Sequence, residues 1–249
     1  MNIAVLVKLV PDTAAQIRLN SDKSWIETRD LNWVLSPYDE YAVEESLKIA
    51  EAQGGEVTAI TYGGETAAEA LRKALAMGAH KAVHIKKEGF TDLLGTAQAL
   101  ADQVKAGGYD LVFAGFKATD DDCAAVGQMV ATLLGMPCIT EVSKLEIGDG
   151  KATVEREIEG GTEVVESPMP CVLTAQKGLN EPRYPSLKGI MMAKKKPIDV
   201  VEASGAEPRV ETVGLSYPPD RPAGKIVGEG VDAVPELVRL LREEARVIE

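Results

Sequence analysis

The run Gly115-Phe116-Lys117-Ala118-Thr119-Asp120-Asp121-Asp122-Cys123-Ala124-Ala125-Val126 concentrates the side chains of this sequence that could do chemistry. It offers a lysine, a hydroxyl, three adjacent carboxylates and a thiol. It directly follows residues 111–114, whose aliphatic character is that of a buried parallel strand. The turn from such a strand into a helix is where open α/β sheets bind ligands, because helix amides converge there. The aspartates act in two directions. They complement the dipole of a helix predicted to start at 120–122 and reach Leu134, yet they repel a phosphate. An anion at this turn must therefore rest on backbone N–H groups away from the carboxylates. Adjacent helical residues do not face one another, so the three are not expected to hold a metal ion.

Other chemistry is scarce. His80 and His84 are the only histidines and read as structural or surface residues, which leaves imidazole-base and zinc chemistry almost nothing to work with. No dinucleotide glycine fingerprint, phosphate loop, nucleophile elbow or zincin helix occurs. Cys123, Cys138 and Cys171 are odd in number and lack CxxC spacing, as expected of reduced thiols in a cytoplasm. Neither catalytic residues nor a metal site are expected.

A turn of this kind needs alternating strands and helices to position it, and the pattern supplies them. Strands are predicted at 3–7, 57–61, 82–85 and 111–114. One helix opens at Ser36 as N-cap with Pro37 in its first position, Asp39 and Glu40 in its first turn, and Ala42, Val43, Leu47 and Ala50 on its apolar face. A second follows the capping box Thr66–Glu69 and stops at Gly78, and a third starts at Thr91. These repeats predict an α/β fold with a doubly wound, mostly parallel, Rossmann-like sheet. After residue 140 the grammar changes. Strands at 142–147 and 152–158 flank Gly148-Asp149-Gly150 as an edge hairpin, and 163–166 and 172–174 follow as further strand candidates. Ten of the thirteen prolines lie after residue 160, so 197–222 reads as an extended arm and not a second core. The arm ends in an amphipathic helix, 234–246, through Leu237, Leu240 and Leu241. The expected division is a nucleotide-binding domain, 1–196, and an arm, 197–249.

The net charge of −12 argues against nucleic acid or an anionic membrane as partner. No stretch approaches the roughly 18 apolar residues of a membrane span. The chain begins at once on a strand with no leader, which implies a cytoplasmic location. Residues 179–197 stand apart. Pro182, Pro185 and Pro197 forbid one continuous helix, while Leu187, Ile190, Met191 and Met192 are too apolar for an idle linker. Two readings remain open: a surface that touches another protein, or a loop folding Leu187 back onto the core.

The segments VLVKLVPD, SPYDEYAVEE, LRKALAMGA, FKATDDDCAAVGQM, VEREIEGG and LNEPRYPSLKGIMMAKKKPI, in this order, resemble the β subunits of electron transfer flavoproteins over essentially the whole chain. The resemblance implies a non-catalytic electron carrier. It would pair with an α subunit that binds most of the FAD, accept electrons from acyl-CoA or other flavoprotein dehydrogenases, and pass them to a quinone oxidoreductase. It also implies a structural AMP. Carried onto this sequence, its contacts fall at Leu6, at Ser36, Pro37, Tyr38 and Asp39, at Tyr62, and along Gly115 to Val126 as written above. One departure matters: Ala124, Ala125 and Val126 stand where relatives often carry Asn-Gln-Thr, leaving backbone amides to hold the phosphate. The alternative is a bifurcating relative with a second FAD in place of AMP. Such relatives tend to carry a Gly-Asp-x-x-x-x-Gly-Pro pattern that is not present at 121–128.

Further roles follow from the same resemblance. Tyr38 would border the flavin, and Thr13 replaces a tyrosine at the other flavin-facing position. Glu157 would latch the mobile flavin domain through an α-subunit arginine. Leu187 would anchor a dehydrogenase, with Ile190 and Met191 beside it in the recognition loop 179–197.

Overall fold

The computed structural model describes residues 1–203, 208–221 and 223–248. In chain order, β1 (Asn2–Leu6), β2 (Leu9–Pro11) and β3 (Trp33–Leu35) precede α1 (Pro37–Gln53). β4 (Glu56–Gly63), α2 (Ala68–Met77), β5 (Lys81–Lys86), α3 (Leu93–Gly107), β6 (Leu111–Gly115) and α4 (Val126–Leu134) then alternate. β7 (Cys138–Gly148), β8 (Lys151–Ile158), β9 (Gly161–Pro168) and β10 (Cys171–Ala175) follow. α5 (Leu187–Lys195), β11 (Asp199–Glu202) and α6 (Val234–Glu243) complete the set.

Among the described residues the main sheet has nine strands in the order β11-β5-β4-β1-β6-β10-β7-β8-β9. Its pairs are parallel from β11 through β7, and antiparallel only in β7-β8-β9. The doubly wound α/β fold expected from the sequence is therefore present. Strands buried on both faces explain its legibility: Ile3, Ala4, Val5, Leu111, Val112 and Phe113 have no exposed surface. Ala42, Val43 and Leu47 of α1 and Leu71 and Ala74 of α2 pack with Ile3, Val5 and Phe113. Leu100 and Val104 of α3 and Val130 of α4 cluster with Ala4 and Val112, whose side chains alternate with those of Ile3 and Phe113. Strand order reverses between β1 and β6, and their carboxyl ends form the crevice of a topological switch point.

Four expectations change. The helix expected from 120–122 begins at Val126, because Asp122 (φ 56) and Ala124 (φ 47) are left-handed and cannot continue a right-handed helix. Thr66 caps nothing; a short 3-10 turn, Glu65–Ala67, leads into α2 instead. Residues 187–195, expected to be irregular, form α5 with the Ser186 hydroxyl accepting from Gly189 N. β11 occupies residues 199–202, inside the stretch expected to be extended arm, because its backbone adds in parallel to β5.

One compact unit runs from Met1 to Val213 and a second from Gly214 to Glu249. The arm expected from 197 includes residues 204–207, 222 and 249, which lie outside those described. The second unit consists of chain without regular structure, a 3-10 turn at Val231–Ala233, and α6. Arg239 pairs there with Glu236 at 2.7 Å and Glu243 at 2.6 Å. Ile226, Val231, Val234 and Leu237 remain exposed. No helix among the described residues is long and apolar enough to cross a membrane.

Candidate functional site

The switch-point crevice is built around Asp39. Pro37 at the start of α1 fixes the entry of the helix, and the amide of Ser36 at the N-cap donates to Lys8 O at 3.0 Å. The Asp39 carboxylate accepts from Lys8 N at 2.7 Å and from Gly115 N at 3.0 Å, tying together the ends of the two strands. Gly115 is required for that approach. A Cβ there would lie 2.3 Å from Asp39 Oδ1 and 2.8 Å from Asp39 N. Burial raises the Asp39 pKa to about 7, against the downward pull of the Lys8 and Gly115 amides.

Lys8, two residues beyond β1, reaches across to Asp120 and Asp121, at 2.8 Å from each. Burial pulls its pKa down, but the two carboxylates more than offset this and hold it above the usual value. Lys117 pairs with Asp122 at 2.8 Å. The phosphate-repelling carboxylates noted in the sequence are thus each engaged by a lysine. Tyr38 meets Phe116 edge to face, with centroids 5.8 Å apart and planes at 86°.

Three polar atoms in or beside the crevice are buried without a hydrogen-bond partner: Ser36 Oγ, Thr119 Oγ1 and Gln128 Oε1. Ser36 occupies the N-cap of α1 but makes no capping bond. α4 likewise has an N-cap, Ala125, that makes no side-chain cap, so its first amides have no intrahelical acceptor. Gly127 brings that first turn against β10, where a Cβ would lie 2.8 Å from Thr174 Cγ2. Unpaired buried hydroxyls and uncapped amides at one place suit a polar ligand that carries an anion.

The structure gathers the expected nucleotide residues at this edge of the sheet. Leu6 ends β1, and Tyr62 lies near the end of the neighbouring β4. Ser36, Pro37, Tyr38 and Asp39 open α1, and Gly115 through Val126 span the turn from β6 to α4. Lys8 and Gln128 lie beside them and are not among the expected residues. Lys8 carried a positional signal: it is the charged residue that ends the first aliphatic run.

The other expected residues lie apart from the crevice. Thr13 is exposed in the 12–32 loop, where its neighbours Asp12, Ala14 and Ala15 help line a cavity of about 820 Å³. Glu157 is exposed near the end of β8, opposite Thr162 of β9. Leu187 at the first position of α5 is 84% exposed, which removes the core-flap reading for this chain; Ile190, Met191 and Met192 are exposed beside it. The histidines are structural, as expected. His80 Nδ1 accepts from Val57 N at 3.0 Å, and buried His84 meets Gly63 O at 2.9 Å.

Comparison with known proteins shows the family. Residues 24–206 match the family model for the electron transfer flavoprotein domain. The chain is 43% identical to the electron transfer flavoprotein subunit beta of Bacillus subtilis (strain 168), with 100% of both chains covered. It is 38% identical to that of Syntrophomonas wolfei, with 99% of both covered. It is also 38% identical to the mitochondrial subunit beta of Arabidopsis thaliana, with 100% of both covered. These matches over the full length lead to one conclusion: the chain belongs to the electron transfer flavoprotein family, as a β subunit.

Proposed function

We propose that this chain is the AMP-binding, partner-docking half of a heterodimeric electron carrier. An α subunit completes the heterodimer and holds most of the FAD. The carrier takes electrons from acyl-CoA or other flavoprotein dehydrogenases and delivers them to a quinone oxidoreductase, and this chain has no catalytic role of its own. The observation that carries the reading is the pairing of two features in one chain. A polar crevice with unpaired buried hydroxyls lies at the sheet's switch point, and an apolar helix is turned outward.

The crevice residues fit AMP. Ser36 Oγ and Thr119 Oγ1 are free to bond its polar groups, and the α4 amides at Val126 and Gly127 are free for its phosphate. With Ala124, Ala125 and Val126 in place of polar side chains, the backbone does most of this work. FAD, when bound, supplies the electron chemistry. This chain's part is to border it, through Tyr38, whose ring orientation Phe116 supports, and through Thr13, too small to cover the flavin edge. Leu187 contributes roughly 1.5–3 kcal/mol if a partner pocket buries it fully, a scale that holds a dehydrogenase and then releases it. Glu157 serves as a latch for the flavin domain; an exposed ion pair there contributes about 0–1 kcal/mol, so it opens readily. The arm from 197, with its uncovered apolar residues, packs on the α subunit.

Co-purification with the native α chain, followed by nucleotide and flavin counting, tests this. One FAD and one AMP per heterodimer is the expected result. Two FAD and no AMP would make the chain a bifurcating relative, and a stable colourless monomer would remove the carrier reading.

A further inference from the structure

Leu187 can serve as an anchor only if something holds its helix at a fixed attitude, and α5 has two seats. On α2, Gly189 sits so close that a Cβ would lie 2.6 Å from Ala76 O. Arg72 donates to Lys196 O at 2.6 Å and also to Ala193 O, and Lys196 Nζ donates to Ala79 O at 2.7 Å. On α1, the seat is the segment just before the helix. Arg183 Nε and Nη2 donate to Glu44 at 2.8 and 3.0 Å, and Nη1 and Nη2 donate to Glu51 at 2.6 and 3.1 Å. Arg183 N adds a bond to Glu44 Oε2 at 3.1 Å. Asn180 Nδ2 reaches Tyr41 O at 3.0 Å and Glu45 Oε2 at 2.9 Å.

The exposed side chains of Leu187, Ile190, Met191 and Met192 are spared by these polar bonds. Glu44 and Glu51 lie two turns apart on α1, so one planar guanidinium spanning both fixes direction as well as distance. Pro182 fixes the backbone just before Arg183, and Pro185 stiffens the two-residue link between Arg183 and the Ser186 cap.

We propose that Arg183 is a positioning residue for partner docking: its fork on Glu44 and Glu51 sets the attitude at which α5 presents Leu187 to a dehydrogenase. The inference rests on the docking reading of α5 given above. In this role Arg183 acts through the helix it aims.

The test uses the purified heterodimer as electron acceptor for an acyl-CoA dehydrogenase supplied with its acyl-CoA. Arg183→Gln should raise KM for the heterodimer about tenfold with kcat within about twofold, the pattern of lost uniform binding. FAD content should stay at the native level. Arg183→Lys keeps the charge but loses the fork, and should fall between, at about threefold. Glu51→Gln removes an exposed carboxylate and leaves Glu44 to balance the arginine, and should raise KM about two- to threefold with a native Tm. A native KM in Arg183→Gln and Glu51→Gln, beside a raised KM in Leu187→Ala, would overturn the positioning role and leave docking intact. A native KM in Leu187→Ala would remove the docking reading itself, and the inference with it.

Discussion

At the start of α1, Asp39 is 6% exposed and takes amides from two strand ends; further along the same helix, Glu44 and Glu51 hold Arg183 while Leu187 stands 84% exposed nearby. The crevice buries polar atoms and leaves some of them unpaired, whereas α5 exposes apolar atoms and leaves them uncovered. Each departs from what a self-contained fold would choose, in opposite directions. In the function proposed above, a ligand relieves the first departure and a protein surface the second. The difference teaches that damage to the crevice should appear in the fold itself, while damage to α5 should appear only when a partner is present.

Gly115→Ala should produce the largest effect, because the added methyl meets Asp39 and backbone rather than a flexible side-chain end. A loss of about 3 kcal/mol or more in denaturant unfolding, together with loss of AMP, is expected. A native midpoint would mean the α1–β6 contact is loose, and the contrast with α5 would fail.

The Asp39 carboxyl comes next. Its folded value, raised by burial from 3.8 to about 7, means that the folded chain binds this proton more tightly than the unfolded chain. Its contribution to stability therefore falls as pH rises across that interval and is flat above it, an effect on the order of a few kcal/mol. Asp39→Asn should flatten that part of the pH profile of Tm, and carboxyl NMR should find a group titrating near neutrality. An Asp39 titrating at the ordinary value would sink the buried-carboxylate description.

Gly189→Ala should cost about 1 kcal/mol, since overpacking against Ala76 O is partly offset by the better helix propensity of alanine. Calorimetry checks it. A stabilised variant would show that α5 shifts freely on α2. The smallest effect belongs to Glu157→Gln, with fold stability within about 0.5 kcal/mol of native because the residue is exposed. Electron transfer rates and flavin-domain mobility should change in this variant; if neither does, the latch role is gone.

Much of this architecture is legible in the sequence. Parallel strands buried on both faces read as aliphatic runs, and Ser36-Pro37 and Gly78 punctuate helices that do start and stop near there. The turn at 120–125 departs from the helix expected there, an expectation that arises because alanine and aspartate in sequence favour a helix start. Left-handed Asp122 and Ala124 are imposed by the surrounding fold. Helix α5 was hidden by its prolines, although Pro185 precedes the Ser186 cap and Pro197 follows the last turn, so both flank the helix rather than interrupt it. The Arg183 fork and the Lys8 bridge join residues 132 and 112 positions from some of their partners, and no local pattern encodes such pairs.

The division of labour is tested most directly by Leu187→Ala in the native heterodimer, measuring Tm, FAD content and electron acceptance from an acyl-CoA dehydrogenase on the same preparation. Tm and FAD should match the native protein, while KM for the heterodimer rises roughly tenfold or more, as expected for a lost anchor of about 1.5–3 kcal/mol. A lowered Tm or lost flavin with unchanged KM would mean that Leu187 serves the fold or the subunit interface, and that α5 is not the docking face.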